Sequence, residues 1–312
     1  MKYSKSLAGA VLVCAAVASF AFAGQNGNTP GVPVSIVVTL EGKHHKEVPP
    51  IEPQDIAVLQ GKDKRPVTSL VPAGQNGKGM QLLLLIDDSA DGAFGTQING
   101  LKQFVNSLPA TTEVAIGYMR NGTSQMVSKF TRDHAAAANS IRLPFGAAGA
   151  NVSPYDSISD AVKNWPETGA ERKTIIMISS GIEGLGGGYT ANNPYVNRGI
   201  EDAQKAGVVV YTIYNPGAGH DGHSFWRSNW GQNFLSQLSD ETGGESYMIG
   251  YGPPVSFQPF LQQITEQLQH QYILTFEAKP ESKPGLQPVK VNVVEKDASV
   301  AAADKVYVKA GV

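Results

Sequence analysis

Met80-Gln81-Leu82-Leu83-Leu84-Leu85-Ile86-Asp87-Asp88-Ser89-Ala90-Asp91 is the stretch that decides the fold. Leu82 to Ile86 is an unbroken apolar run with no polar alternation, which predicts a strand buried on both faces, as in a parallel sheet. Working outward, Ile98, Leu101, Phe104, Val105 and Leu108 recur at helical spacing. Strands are predicted over residues 114–119 and 126–130, then a helix over 155–165 on Ile158, Ala161, Val162 and Trp165. A strand at 174–178, a helix at 196–206 closing at Gly207, and a strand at 208–214 continue the pattern. A helix over 234–242 closes at Gly243-Gly244, where glycine suits the left-handed cap position. A last helix near 259–269 leads into a strand at 272–276. Strands separated by single helices need crossovers. The expected fold is therefore α/β: a doubly wound, mostly parallel sheet with helices on both faces.

The flanks read as β-structure. Val34–Leu40, Ile56–Leu59 and Val67–Leu70 are β-branched or alternating, and residues 289–294 and 306–308 return to strand pattern. At the start, Lys2 and Lys5 precede an apolar stretch from Leu7 to Phe20, followed by Ala21-Phe22-Ala23. This is the build of a secretory signal peptide. The expected organisation is a signal peptide over 1–23, a leader, small β module and linker over 24–79, the α/β domain over 80–250, and a helix-and-strand extension over 251–312. The chain is expected to be exported, periplasmic or extracellular. No later segment is apolar for long enough to span a bilayer of about 30 Å.

Composition narrows the function. The 312 residues carry 25 Lys+Arg against 27 Asp+Glu, without the clustered basic excess that phosphate backbones require. Nucleic acid is excluded as a partner. The single cysteine, Cys14, lies inside the apolar leader, so thiol chemistry is excluded from the mature chain.

In open α/β sheets, ligands bind beyond the carboxyl ends of the strands. The first core strand delivers Asp87, Ser89 and Asp91 there, two hard carboxylates and a hydroxyl at i, i+2 and i+4, a set suited to a hard divalent cation. The plainer alternative is that the acids cap the following helix, where the macrodipole favours negative charge. Asp87-Asp88-Ser89-Ala90-Asp91 resembles the Asp-x-Ser-x-Ser turn of von Willebrand factor type A domains, whose metal-ion-dependent adhesion site it forms. Gly149-Ala150-Asn151-Val152-Ser153-Pro154-Tyr155-Asp156 is similar to that family's second site loop, and residues 172–181 look like its Ser/Thr-Asp-Gly strand. The flanking β module and the Gln271-Tyr272-Ile273-Leu274 strand resemble the VWFA-related family of acidobacterial secreted proteins. The resemblance implies Mg²⁺ or Ca²⁺ held by Asp87, Ser89 and Asp91, with Asn151, Ser153 and Ser180 as additional oxygens. The departures are as informative. Asp91 fills the second serine slot, Val152 the threonine slot and Ser180 the second aspartate slot, so the site reads as degenerate.

Other chemistry-bearing residues are weighed against simpler roles. His220-Asp221-Gly222-His223 has Zn²⁺-ligand types but no third partner in the pattern, and His44-His45 sits in a turn. Phe225-Trp226-Arg227-Ser228-Asn229-Trp230 reads as a loop that either anchors itself with aromatics or offers a partner or glycan surface. Glu183 reads as a solvated acid. Neither a phosphate loop nor a Gly-x-Ser-x-Gly elbow is present. A hydrolase reading on Asp87, Asp88 and Asp91 with His220 or His223 lacks a placed base and nucleophile. The expectation is a non-enzymatic binding or adhesion-type protein engaging a protein or cell-surface ligand, with no cofactor beyond that divalent cation. The alternative is a metal-independent structural component of a cell-envelope assembly.

Overall fold

The computed structural model of the chain describes residues 31–43, 47–75, 79–147, 153–167, 169–218 and 224–311. The expected signal peptide with Cys14, and also His44, His45, Asn151, Val152, His220, Asp221 and His223, lie outside these residues. Four strands come first: β1 (Val32–Gly42), β2 (Ile56–Gln60), β3 (Asp63–Arg65) and β4 (Val67–Pro72). The α/β region follows with β5 (Met80–Asp87), α1 (Ile98–Ser107), β6 (Glu113–Arg120), β7 (Thr123–Thr131), α2 (His134–Asn139) and α3 (Pro154–Lys163). It continues through β8 (Arg172–Ser179), α4 (Pro194–Ala206), β9 (Val208–Tyr214), α5 (Phe225–Thr242), β10 (Ser246–Tyr247) and α6 (Gln258–Gln269). The chain then runs through β11 (Gln271–Ala278), β12 (Gly285–Val293), β13 (Ala298–Ala302) and β14 (Lys305–Val308).

Every residue of β5 is buried, as its unbroken apolar run requires. It lies inside a six-stranded sheet of order β10-β9-β8-β5-β6-β7, pairing in parallel with β6 on one side and β8 on the other. β7 alone runs antiparallel, folded back on β6. Successive side chains of a strand point to opposite faces, and β5 divides accordingly. Leu82, Leu84 and Ile86 pack with Leu101 of α1, Ala137 of α2 and Phe260 of α6. Leu83 and Leu85 pack with Ile158 of α3, Val196 of α4 and Leu235 of α5. The doubly wound sheet covered on both faces is thus the observed architecture.

Three expectations change. First, α6 falls in the expected C-terminal extension, but Phe260, Leu261, Ile264 and Leu268 belong to the α/β core. The α/β unit therefore runs to about residue 270 rather than 250. Second, α5 begins at Phe225, so the aromatic segment read as a loop is helical. Third, the β additions at the two ends are one body. The sheets β13-β1-β11-β4 and β14-β12-β2-β3 each mix strands from both ends. β1 runs between β11 and β13, with Ile36 opposite Leu274 and Leu40 opposite Val300. Val38, Leu40, Val58, Leu274, Phe276 and Val306 fill the core between the two sheets.

This sandwich is fastened to the α/β unit by polar contacts. Arg172 Nη1 donates to Leu268 O and to Gln271 Oε1, both at 2.9 Å, and burial pulls its pKa below the usual arginine value. Gln204 Nε2 donates to Glu241 O at 2.7 Å and to Asp304 Oδ1 at 2.6 Å. Among the described residues, no helix is long and apolar enough to cross a membrane.

Candidate functional site

Strand order reverses between β5 and β8, since β6 continues on one side of β5 and β8 starts the other side. Such a switch point opens a crevice at the carboxyl ends of the strands. Asp87 ends β5 and Ser179 ends β8. The register that pairs Ile86 with Ile178 sets them side by side, and Ser179 Oγ donates to Asp87 Oδ2 at 2.7 Å. The other oxygen, Oδ1, accepts from Ser89 N at 2.9 Å and Ser89 Oγ at 2.6 Å. A buried carboxylate needs such donors, because each offsets part of its desolvation.

The segment after β9 closes over this turn. Ala218 N donates to Ser89 O at 2.6 Å, Asp91 N to Pro216 O at 3.3 Å, and Asn215 N to Ser179 O at 3.0 Å. A Cβ placed on Gly217 would lie 3.7 Å from Ser89 Oγ and 3.8 Å from Ser180 Oγ. Gly217 therefore lies against the hydroxyls of both Ser89 and Ser180.

The remaining acids face elsewhere. Asp88 is fully buried and bound by Arg142 Nη1 at 2.8 Å and Nη2 at 3.0 Å, with Phe145 N donating to it at 3.2 Å. Arg142 is itself held over the Tyr118 ring, its guanidinium 3.8 Å from the centroid. Asp91 accepts from Ala93 N at 3.0 Å and caps the short 3-10 turn Gly92–Gln97. Ser153 caps α3 by accepting from Asp156 N and donates to Glu183 Oε2 at 2.6 Å. Glu183, expected to be solvated, is buried. Burial pushes its pKa up, against the lowering bonds from Ser153 and Leu185 N. Ser180 accepts a long 3.4 Å bond from Ile182 N.

Asp87, Ser89, Ser179 and Ser180 are therefore the described oxygens gathered at the crevice, with Asp91 and Ser153 engaged as helix caps. As a donor set, the described residues offer one carboxylate and three hydroxyls to a hard cation. Among the described residues, no group of three or more His, Cys, Asp or Glu is placed to hold a metal ion. Sequence reasoning missed Ser179, the Asp88–Arg142 pair and the Ser153–Glu183 pair. Only Ser179 had a readable signal, its strand-end position in register with Asp87.

The rim around the crevice is rich in exposed apolar side chains. Of the thirteen large hydrophobics exposed among the described residues, four lie elsewhere: Met126, Val127, Val294 and Tyr307. Leu143 and Phe145 lie on the approach to α3, Leu185 and Tyr189 follow β8, and Phe225 and Trp226 open α5. Ile249, Tyr251 and Val255 lie between β10 and α6. These nine all sit at the carboxyl end of the sheet.

A central first strand ending in an Asp-x-Ser turn, the order of the six strands and one antiparallel edge together define a von Willebrand type A-like fold. No family model and no curated relative matches the chain. Among solved structures, it is similar to an aerotolerance-related membrane protein from Bacteroides fragilis, at 14% identity over 61% of this chain and 98% of that one, with a TM-score of 0.44. It is also similar to the SpRpn10 VWA domain, at 16% identity over 59% of this chain and 94% of that one, TM-score 0.41. Three N-terminal domains of the type V pili tip protein Mfa5 from Porphyromonas gingivalis match 91% of this chain and 67% of theirs, at 12% identity and TM-score 0.42.

Proposed function

We propose that this chain is an exported, non-enzymatic binding protein, and that the carboxyl rim of its von Willebrand type A-like domain engages a protein or cell-surface ligand. The observation that carries this reading is the concentration of exposed apolar side chains around the Asp87 crevice. Large apolar side chains gathered at one end of a domain mark an interaction surface, because water disfavours leaving them open. Export is supported by the charged start, the apolar stretch and the Ala21-Phe22-Ala23 site. The non-enzymatic reading is supported by the employment of the rim acids: Asp88 is in an ion pair, Asp91 caps a turn and Glu183 is bonded to Ser153. The adhesion-type site is a degenerate one that holds itself together through Ser89 and Ser179. The β-strands that precede the α/β unit and the Gln271-Tyr272-Ile273-Leu274 strand support kinship with the VWFA-related family of acidobacterial secreted proteins.

The test measures binding of the mature protein to intact bacterial cells, with and without chelator. Leu185→Asp and Val255→Asp place charge on the rim, while Tyr307→Asp serves as a control on the sandwich. Rim variants that lose binding while the control keeps it support the proposal. Equal binding by all three overturns it.

A further inference from the structure

One side of the rim is aromatic. Trp226 is 74% exposed, and its neighbour Phe225 lies 5.8 Å from it and 4.9 Å from Tyr251, centroid to centroid. One helical turn on, Trp230 stacks at 6.2 Å on Tyr189 and packs at 5.7 Å on Phe234, which roots the ridge in the core. The outer rings are positioned before any ligand arrives. Asn229 Nδ2 donates to Tyr251 Oη at 3.2 Å, and Gln232 Nε2 to Gly250 O at 2.6 Å. These bonds tie the segment after β10 to α5.

The segments that carry the rings are nearly free of charge. Residues 184–193, 224–239 and 248–257 supply the ridge and contain a single ionised side chain, Arg227. The rest are carboxamides, hydroxyls and glycines beside the apolar residues. We propose that this ridge is a docking platform for a neutral polysaccharide. A pyranose ring presents a face of weakly positive C–H groups, which matches the negative face of an aromatic ring. Its edge carries hydroxyls that pair with carboxamide donors and acceptors such as Asn229 and Asn233. An anionic polymer or an anionic membrane surface draws on clustered Lys and Arg, which these segments lack. A protein partner commonly takes its register from complementary charges, and one Arg supplies little of that. The proposal rests on the rim being the binding face and names the class of surface ligand.

The experiment uses the mature chain in affinity electrophoresis with a soluble β-glucan, a xylan, an α-glucan and a mannan. Alginate and phosphatidylglycerol-containing vesicles are run in parallel, and tryptophan emission is recorded throughout. At least one neutral polysaccharide is expected to retard the protein and shift its emission to the blue. Trp226→Ala and Phe225→Ala are each expected to weaken that binding about tenfold or more, the loss typical of removing a central aromatic anchor. Trp226→Tyr, which keeps a flat ring, retains most of it. No retardation by any neutral polysaccharide overturns the proposal, as does retardation that Trp226→Ala leaves unchanged, or stronger binding to alginate or vesicles. Cell binding separates the two readings. If it survives Trp226→Ala but is lost in Val255→Asp, a protein ligand replaces the glycan and the rim reading stands; if no rim variant alters it, the rim reading itself falls.

Discussion

Arg142 holds Asp88 with both terminal nitrogens, at 2.8 and 3.0 Å, so adjacent acids of one turn face opposite ways. Asp87 turns to the crevice and Asp88 ties that turn to the segment approaching α3. The Asp88 side chain is fully buried, whereas that of Arg142 is 33% exposed. Arg142→Ala should cost about 3 kcal/mol, at the low end for an orphaned buried charge because water reaches the arginine. Asp88→Asn, which keeps one acceptor, should cost about 1–2 kcal/mol. Chemical denaturation midpoints at constant m-value check this, and equal costs for the two variants would contradict it.

The metal prediction turns on missing carboxylate. Wild-type protein is expected to show no Mg²⁺-dependent rise in melting temperature at millimolar concentration. Ser180→Asp, combined with Val152→Thr, should create one that grows with the logarithm of Mg²⁺ above the dissociation constant. Asp91→Ala should cost about 1 kcal/mol through the lost cap and leave the metal response unaltered. A wild-type shift abolished by Asp91→Ala would sink this account.

Glu183 gives a pH dependence with a definite sign. Burial raises its pKa in the folded protein, so the native state holds a proton that the unfolded chain releases. Its contribution is fully present below the unfolded pKa of about 4.3 and is lost as pH rises through the higher folded value. Glu183→Gln cannot ionise. The stability of the variant relative to wild type should therefore increase from about pH 4 toward neutrality. Taking the difference cancels Glu41 and Asp240, also raised by burial. A difference that is flat or falling with pH rejects the assignment.

The packing of α5 on the rim depends on two glycines. Gly181 has φ +67°, and a Cβ there would lie 2.3 Å from Gly231 O; one on Gly231 would lie 2.2 Å from Ser180 O. Gly231→Ala must push the helix away, at about 1–3 kcal/mol for an overpacked contact. Calorimetric melting reads the loss, and an unchanged melting temperature would show that the contact has slack.

The α/β unit was legible because its signals are local. Leu82 to Ile86 and residues 208–214 announce buried strands, and Leu101, Phe104 and Val105 announce a helix face. The start of α5 was hidden because Phe225, Trp226 and Gly231 break the amphipathic spacing that marks the later turns. The sandwich was hidden for another reason: β1 finds Leu274 and Val300 opposite Ile36 and Leu40, and no local pattern encodes a pairing that distant. The same limit concealed the partners of Asp88 and Glu183. Each hydrogen-bonded pair joins loops that meet only once the sheet has formed.

Interleaving the two ends also imposes an order on folding. Among the described residues, β1 pairs with β11 and β13, and β2 with β12 and with the short β3 next to it. Until residues 271–302 are present, β1 is an unpaired edge, and closing it means joining segments more than two hundred residues apart. That closure is entropically slow for a loose chain but short-range once the α/β unit has brought Gly79 and Gln271 to the same side. The inserted unit should therefore fold first and serve as the splint on which the sandwich closes. A chain shortened before residue 271 should keep a folded α/β body while its first strand stays open to pairing with other chains.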